Sequence, residues 1–405
     1  MKKLLKMFAF CIIVVFLIAT FSLIGCKTTT ATTAAAETTA VAETTAAAET
    51  TAVAETTAVA KELTTVNIGI TPYSMYPLYI ASHELGFDKE IGLNFKTSTF
   101  TGTDKAVASL IRGDIDLAPN SINGDTLFIK TAPQVKAILP LDLFEGFIFV
   151  GRVGTFKPFV DLVSEMGEEK AREFRLNEFK GKTFVAEVWF NTLIYDAIAQ
   201  VGLTPKDIKV KTYADDQLAA TAFISGSGDV YTGSLVQEKK MITEMSDKFI
   251  NLGGQEILGP IGLWFGSMDS TDKYITDNKE TLLKTLAVQF RTIRAWDENK
   301  DKLAPIMRKA INLQAGTEYT DAQYIELQTV YDDFLSIDEC KATLFNPEDR
   351  AYWKNIADAN IKAAFDNGTI DKIVPAKDHF WWEDFFNEFL TRNDLIEYVN
   401  SPFNW

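Results

Sequence analysis

The residues best suited to bind a small molecule lie in six short loops, each of which follows a predicted strand. The loops cover residues 71–76, 101–103, 120–123, 187–192, 214–215 and 232–234. They are rich in hydroxyl, amide and aromatic side chains and contain no lysine or arginine. Because loops that follow parallel strands gather at one edge of a sheet and lead into helix N-termini, these six predict a ligand site.

Three kinds of ligand suit these loops. An anion would be held by backbone N–H groups at helix starts, together with Ser, Thr and Asn donors. A flat or apolar molecule would stack on the aromatic rings of Tyr73, Tyr76, Trp189 and Phe190. An amine would donate hydrogen bonds to the nearby carboxylates of Glu187, Asp104 and Asp215. The residue types leave these alternatives open.

The predicted ligand contacts come from both halves of the chain. They are Tyr73, Ser74, Tyr76, Thr101, Gly102, Thr103, Asn120, Ser121, Asn123, Trp189, Phe190, Asn191, Thr192, Asp215 and Trp264. Helix capping alone would also explain Thr101, Thr103, Asn191 and Thr192. The indole of Trp264 is equally consistent with core, hinge packing or the cleft.

Catalytic and metal-binding patterns do not emerge from the sequence. The two histidines, His83 and His379, are about 300 positions apart, and no His, Cys and carboxylate set has metal-site spacing. There is no phosphate loop, no Gly-x-Ser-x-Gly and no His-Glu-x-x-His. We therefore expect no enzyme activity and no cofactor, and we expect Cys340 to be a packing residue.

The six loops belong to an alternating order of strands and helices that occurs twice in the chain. Strands at 66–70, 93–100 and 116–120 alternate with helices at 77–85 and 104–111. The order is repeated by strands at 182–186, 208–213 and 229–232 with helices at 192–201 and 216–224. Short apolar strands alternating with amphipathic helices predict mainly parallel sheets flanked by helices, and two such units predict two lobes.

The last third of the chain is predicted to be helical and to pack back on the first lobe. A strand-like run at 261–266 is followed by helix starts at Asp277 or Asn278, at the Thr320–Gln323 capping box and at Pro347. The aromatic run that begins at Phe380 is predicted to be a packed helix stripe. This packing requires the chain to cross between the lobes twice, near 151–157 and near 253–260. The segment 158–176 is predicted to be an inserted helix.

These crossings give the predicted domain organisation. A signal covers 1–26 and a linker 27–62. Lobe one is 63–152 plus 257–405, and lobe two is 153–256.

The N-terminal region is predicted to tether the protein to a membrane. Three early lysines precede an apolar run at 7–23, which ends in small residues before Cys26. This is the layout of a bacterial lipoprotein signal, in which the new N-terminal Cys26 is lipidated after cleavage. An uncleaved membrane helix is the alternative. The unit Ala-Glu-Thr-Thr-Ala-Val/Ala then occurs four times from residue 36, a composition too polar to form a core.

Composition restricts the partners. The chain carries a net charge of −15, all of it beyond residue 60, because the charges before that point cancel. An acidic body argues against nucleic-acid binding, which needs a cationic surface. With one cysteine beyond Cys26, no disulfide can form within the mature protein.

Three segments resemble a known family. They are "YPLYIASHELGF", "IGLNFKTSTFTGTDKAVASLIRGDIDLAPNSIN" and "FKGKTFVAEVWFNTLIYDAIAQVGLTPKDIKV". They are similar to the nitrate, sulfonate, taurine and pyrimidine-precursor solute-binding proteins of ABC importers. The resemblance implies a type II periplasmic-binding-protein fold, with two lobes closing on a ligand. It also implies ligand contacts in the loops at 73–76, 101–103, 120–123 and 189–192.

The function expected from this sequence is capture of a small molecule outside the cytoplasmic membrane and its delivery to an ABC permease. The protein would be lipid-anchored and monomeric. One alternative is a surface sensor or adhesin with the same binding body. The other is a pyrimidine-synthesis-type enzyme, for which neither histidine lies in a suitable loop.

Overall fold

The structure is a computed structural model that describes residues 62–366 and 368–405. The predicted signal, the lipidation site Cys26 and nearly all of the linker lie outside the described residues. Among the helices that are described, none is long and apolar enough to cross a membrane.

The strands belong to two sheets, one in each lobe. They are β1 (Thr64–Ile70), β2 (Leu93–Thr99), β3 (Ala118–Ser121), β4 (Val135–Phe144), β5 (Val150–Arg152), β6 (Thr183–Glu187), β7 (Lys209–Tyr213), β8 (Val230–Tyr231), β9 (Phe249–Asn251), β10 (Trp264–Thr271) and β11 (Asp332–Phe334).

Helices connect and cover the strands. They are α1 (Leu78–Glu84), α2 (Phe87–Glu90), α3 (Thr103–Arg112), α4 (Ile122–Thr131), α5 (Phe159–Met166), α6 (Glu168–Glu178), α7 (Asn191–Ala199), α8 (Asp216–Ile224), α9 (Leu235–Glu244), α10 (Gln255–Leu258), α11 (Asp272–Asp277), α12 (Lys279–Glu298), α13 (Lys300–Ala315), α14 (Asp321–Glu326), α15 (Ile337–Glu339), α16 (Trp353–Asp366), α17 (Trp382–Leu390) and α18 (Asn393–Asn400).

The first lobe is built on the strand order β2-β1-β3-β10-β4-β11. β1 runs parallel to β2, and a parallel bridge between Ile68 and Leu117 joins β1 to the chain just before β3. β10 lies antiparallel between β3 and β4, and β11 is antiparallel to β4. The second lobe has the order β7-β6-β8-β5-β9, in which β6 is parallel to both neighbours and β5 is antiparallel to both.

The predicted two-lobe α/β fold is confirmed, but the sheets are more mixed than expected. β5 and β10 are the strands that arrive directly from the other lobe. Each inserts between two strands of its new sheet and runs antiparallel to both of them. Each sheet therefore has a parallel half, formed by local strand-helix-strand units, and an antiparallel half.

The crossings lie at 145–149 and 252–263. The first lies earlier than the expected 151–157, because 150–152 is already a strand of the second lobe. The insertion at 158–176 is two helices, α5 and α6, since Gly167 between them has a φ of 84° that ends the first. The capping box at Thr320 and Gln323 is confirmed.

The helix start predicted at Pro347 is wrong. The next helix, α16, begins at Trp353. The side chain of Asn346 instead bonds to local backbone, with its amide donating to the carbonyl of Ala342 and its oxygen accepting from the N–H of Glu348. Such side-chain bonds stabilise a turn in competition with a helix.

The aromatic tail packs on the first lobe, as predicted. Trp382 of α17 is completely buried and meets Phe265 of β10 at a centroid distance of 5.9 Å. Phe386 and Phe389 of the same helix contact Phe290 of α12. Cys340 is also buried, and burial raises the pKa of its thiol, which suits a packing role.

Candidate binding site

A cavity lies between the two lobes, where the ends of strands from both sheets meet. It contains about 60 Å³ of free space, room for a few water molecules or one compact ligand group, since one water needs on the order of 10–15 Å³. The residues that line it are Tyr73, Ser74, Met75, Tyr76, Thr103, Asn120, Ser121, Phe144, Phe147, Trp189, Phe190, Ser234, Leu235, Val236, Trp264, Gly266 and Asp332.

Local sequence explains why these side chains converge. Ser121 and Ser234 are the N-cap residues of α4 and α9, and the hydroxyl of each accepts from a backbone N–H in the first turn. Thr103 is the first residue of α3, directly after the extended Gly102. Each strand therefore stops and turns into a helix at the cavity, as expected for loops at the carboxyl ends of strands.

Four rings form an aromatic wall, which we define as Phe144, Phe147, Phe190 and Trp264. The ring of Phe147 meets Phe144 edge-on at 4.4 Å and Trp264 at 4.3 Å between centroids. Phe190 stacks on Trp264 with an interplanar angle of 12°. Because Phe147 lies in the first crossing, Phe190 in lobe two and Trp264 in lobe one, the wall spans the junction between the lobes.

Tyr73 joins the lobes beside this wall. Its hydroxyl donates to Oε2 of Glu187 at 2.8 Å. Burial, reinforced by the nearby carboxylate of Asp216, raises the pKa of Glu187 well above its usual value. The other oxygen, Oε1, has no hydrogen-bond partner among the described residues.

Asn120 is committed to a buried polar network. Its Nδ2 donates to Asp125 Oδ1 and to Asp269 Oδ2, each at 2.7 Å. Its backbone carbonyl accepts from the hydroxyl of Tyr76. Burial raises the pKa of Asp125 to about 7 and that of Asp269 well above its usual value, and the nearby Asp125 carboxyl raises the latter further. Asn120 therefore borders the cavity mainly as a structural residue.

A second acidic pair lies at the floor of the cavity. Asp332 accepts through Oδ2 from the hydroxyl of Ser74, and Asp142 lies opposite Gly266 in the neighbouring strand. A side chain at Gly266 would collide with the Asp142 carboxylate, so glycine makes room for it. Burial raises the pKa of both carboxyls, and Asp332 raises that of Asp142 further, so the pair holds a proton more readily than two exposed carboxyls would.

Nine of the fifteen residues predicted from sequence line the cavity. They are Tyr73, Ser74, Tyr76, Thr103, Asn120, Ser121, Trp189, Phe190 and Trp264. The other six do not line it: Thr101, Gly102, Asn123, Asn191, Thr192 and Asp215.

Asp215 acts as a helix cap, accepting from the N–H of Leu218 at 2.9 Å, and pairs with Lys105 at 3.8 Å. Asn191 hydrogen-bonds to Thr212, and Thr101 is exposed at the rim.

Sequence reasoning missed Phe144, Phe147 and Asp332 as cavity residues. The sequence pattern does not mark the two phenylalanines, because it predicts the first crossing several residues too late. The end of the apolar run at 135–144 was the signal that could have located it. Asp332 lies in β11, a strand of only three residues within a helical region, and no pattern marks it.

Neither histidine lines the cavity. His83 on α1 is partly exposed and bonds to Asp88, with 2.7 Å between Nδ1 and Oδ2. His379 is buried 3.8 Å from Asp125, and burial lowers its pKa to about 4. Within the described residues, no group of three or more His, Cys, Asp or Glu side chains is arranged to hold a metal ion.

Comparison with known proteins identifies structural relatives only. No family model matches the chain, and no curated protein matches it in sequence. Among solved structures, it is similar to the alkanesulfonate-binding protein SsuA of Xanthomonas axonopodis pv. citri, described as bound to MOPS. That match has a TM-score of 0.58 at 13% identity and covers 79% of this chain and 99% of the other.

Two further structures extend the comparison. The periplasmic nitrate-binding protein NrtA of Synechocystis PCC 6803 has a TM-score of 0.57 at 12% identity, covering 84% of this chain and 92% of the other. The desulfurization enzyme DSZB has a TM-score of 0.52 at 10% identity, covering 81% and 99%. Binding proteins and an enzyme therefore share this architecture. The chain has the periplasmic-binding-protein fold of the nitrate- and sulfonate-binding type.

Proposed function

We propose that this protein is the extracytoplasmic solute-binding component of an ABC importer. The observation that carries the proposal is the cavity itself. Residues of both lobes line it, and so do residues at the ends of the strands next to the crossings. A ligand in this position would contact both lobes at once, so its binding would favour the closed arrangement.

Direct contacts between the lobes support closure as the operating motion. Tyr73 bonds to Glu187, and Lys105 pairs with Asp215. On the other side of the cavity, Nε2 of Gln237 donates to the carbonyl of Ala315 at 2.9 Å. Lys240 and Tyr319 add two further hydrogen bonds between the lobes. Each of these polar contacts is worth about 1 kcal/mol or less. A ligand that adds several contacts would therefore shift the balance between open and closed forms.

We propose further that Cys26 carries the lipid anchor and that the low-complexity linker holds the two lobes, as a monomer, at a distance from the membrane. The signal layout and the four-fold repeat of the linker in the sequence support this arrangement. Delivery to a permease follows from the family that the sequence resembles. We propose binding without catalysis, because the histidines lie away from the cavity.

Retention of a small molecule tests the capture function. The purified chain would be incubated with a small-molecule extract of the cells that produce it, freed of unbound compounds by gel filtration and examined by native mass spectrometry. We expect one small molecule bound per chain and a higher melting temperature, since a ligand that binds only the folded state stabilises it. A chain that retains nothing would contradict the proposal.

Trp189→Ala is expected to abolish that ligand-dependent rise in melting temperature while the variant still folds. Trp189 lines the cavity, packs on Phe128 at 5.4 Å between centroids, and has an indole N–H without a partner among the described residues. The matched control is Trp405→Ala, a half-exposed tryptophan at the C-terminus. An unchanged shift in the Trp189 variant would remove this residue from the site.

A further inference from the structure

We propose that the cavity binds an organic cation, a protonated amine or quaternary ammonium compound, with its charge against Asp332 and its apolar part against the aromatic wall. The inference rests on the proposed function and specifies its ligand class. It differs from the sulfonate and nitrate named for the structural relatives.

The Asp and Glu side chains at the cavity are not matched by basic ones. Asp332 lines the cavity, Asp142 lies directly behind Gly266, and Glu187 bonds to the lining Tyr73. Among the residues that the structure places on the lining, there is no lysine, arginine or histidine. Lys105 and Lys239, which follow lining residues in the sequence, pair with Asp215 and Glu326. A bound anion would meet carboxylates without a matching cation.

The acidic pair at the floor lacks a positive partner. Asp332 and Asp142 are fully buried beside each other, and neither forms an ion pair with a lysine, arginine or histidine among the described residues. A buried carboxylate without a donor or counter-charge is costly, and proteins rarely leave one so. A shared proton satisfies part of this demand. An ammonium group in the cavity would supply the remaining charge and donors.

The rest of the lining suits the body of such a ligand. Tyr73, Tyr76 and Trp189 join the aromatic wall around the same small space. Aromatic faces attract cations through their quadrupole, by about 0.5–2 kcal/mol per ring, and most strongly when water is excluded. An aromatic enclosure beside an uncompensated carboxylate therefore favours alkylammonium and arylammonium groups over equally compact neutral molecules.

Helix N-termini at the cavity are the main argument for an anion. Each end of α3, α4 and α9 carries about half a unit of positive charge. Several N–H groups at the starts of α4 and α9 are already bonded within the chain. Gly124 donates to Ser121 Oγ, Gln237 donates to Ser234 Oγ, and Gly233 donates to Oε1 of Glu238. These donors are not free for an anion, and no lysine, arginine or histidine on the described lining adds to them.

Asp332→Asn separates this inference from the capture function. The variant keeps an oxygen that can accept from Ser74 and loses the charge. Its control is Asp333→Asn, the same change at the adjacent, exposed residue. Each chain would be incubated with the cell extract, and the retained compounds would be identified by mass spectrometry in both ion modes. We expect the wild type and Asp333→Asn to retain a cation that Asp332→Asn binds about a hundredfold more weakly.

The alternative outcomes are distinct. Retention of an anion or a neutral compound, or of a cation with equal affinity in Asp332→Asn, would overturn the ligand class and leave capture intact. Retention of nothing by the wild type would overturn both. In the wild type alone, benzylamine should displace the retained compound more effectively than benzoate, which has the same ring and the opposite charge. The reverse order would contradict the proposal even if the variant failed to fold.

Discussion

The free energy of unfolding is expected to fall as the pH rises from about 6 to about 8, by up to about 1.4 kcal/mol per pH unit for each buried acid that still holds its proton in the folded chain. Burial raises the pKa of Asp125 to about 7, and it raises the pKa values of Glu187, Glu238 and Asp269 well above their usual range. In the unfolded chain these groups have already lost their protons at pH 6. The folded chain binds more protons, so raising the pH favours unfolding.

Urea unfolding at a series of pH values measures this effect. Asp125→Asn is expected to flatten the profile between about pH 6 and about pH 7, where that carboxyl titrates. Asp338→Asn, at a carboxyl that is 95% exposed, is the matched control and should leave the profile unchanged. Below about pH 6.5 His379 acts in the opposite direction, because its lowered pKa means that the unfolded chain takes up the proton first. Stability that is constant or rises from pH 6 to pH 8 would contradict the burial of these acids.

Trp382→Ala is expected to destabilise the protein by about 3–5 kcal/mol, the range for removing a fully buried large aromatic side chain. Trp382 is the first residue of α17 and contacts Phe265, Trp353 and Phe380. Its loss would leave a cavity between α17 and the sheet of lobe one. The measurement is the free energy of unfolding from a urea titration.

The adjacent tryptophan provides the control. Trp381 is only partly buried, and Lys136 lies over its ring at 5.6 Å. Trp381→Ala should therefore cost no more than about 1.5 kcal/mol. An equal loss of unfolding free energy in the two variants would mean that Trp382 is not buried against lobe one, which would contradict the packing of the aromatic tail described here.

Sequence predicted the local units well because their signals are local. α8 begins and ends at the predicted residues, since Asp215 is a strong N-cap and Gly226 follows the helix end. The first crossing was misplaced because apolar periodicity does not show which sheet a short strand joins. Local pattern identifies an element, whereas pairing partners are set by contacts distant in sequence.

The candidate site was predictable only in part for the same reason. Loops after strands placed Tyr73, Tyr76 and Trp189 at the cavity. The sequence does not show which polar side chains near the cavity are buried. Asn120 reads as a ligand contact in the sequence, yet its amide is taken by two carboxylates brought from β10 and α4. Asp332 and Asp142 are 190 positions apart, and only the pairing of β4 with β11 brings them together.

The insertion of β10 beside β4 determines how lobe two can move. Phe144, where the chain leaves lobe one, pairs directly with Trp264, where it returns. Val150 and Asn251 pair in the same way at the entrance to lobe two. Topologically, the whole second lobe is a long loop at the tip of one β-hairpin. The two segments that connect the lobes start side by side on each sheet. Any rotation of lobe two therefore twists both segments about a single pivot. A short turn joining Phe144 to Trp264 could replace lobe two without changing the strand order of lobe one.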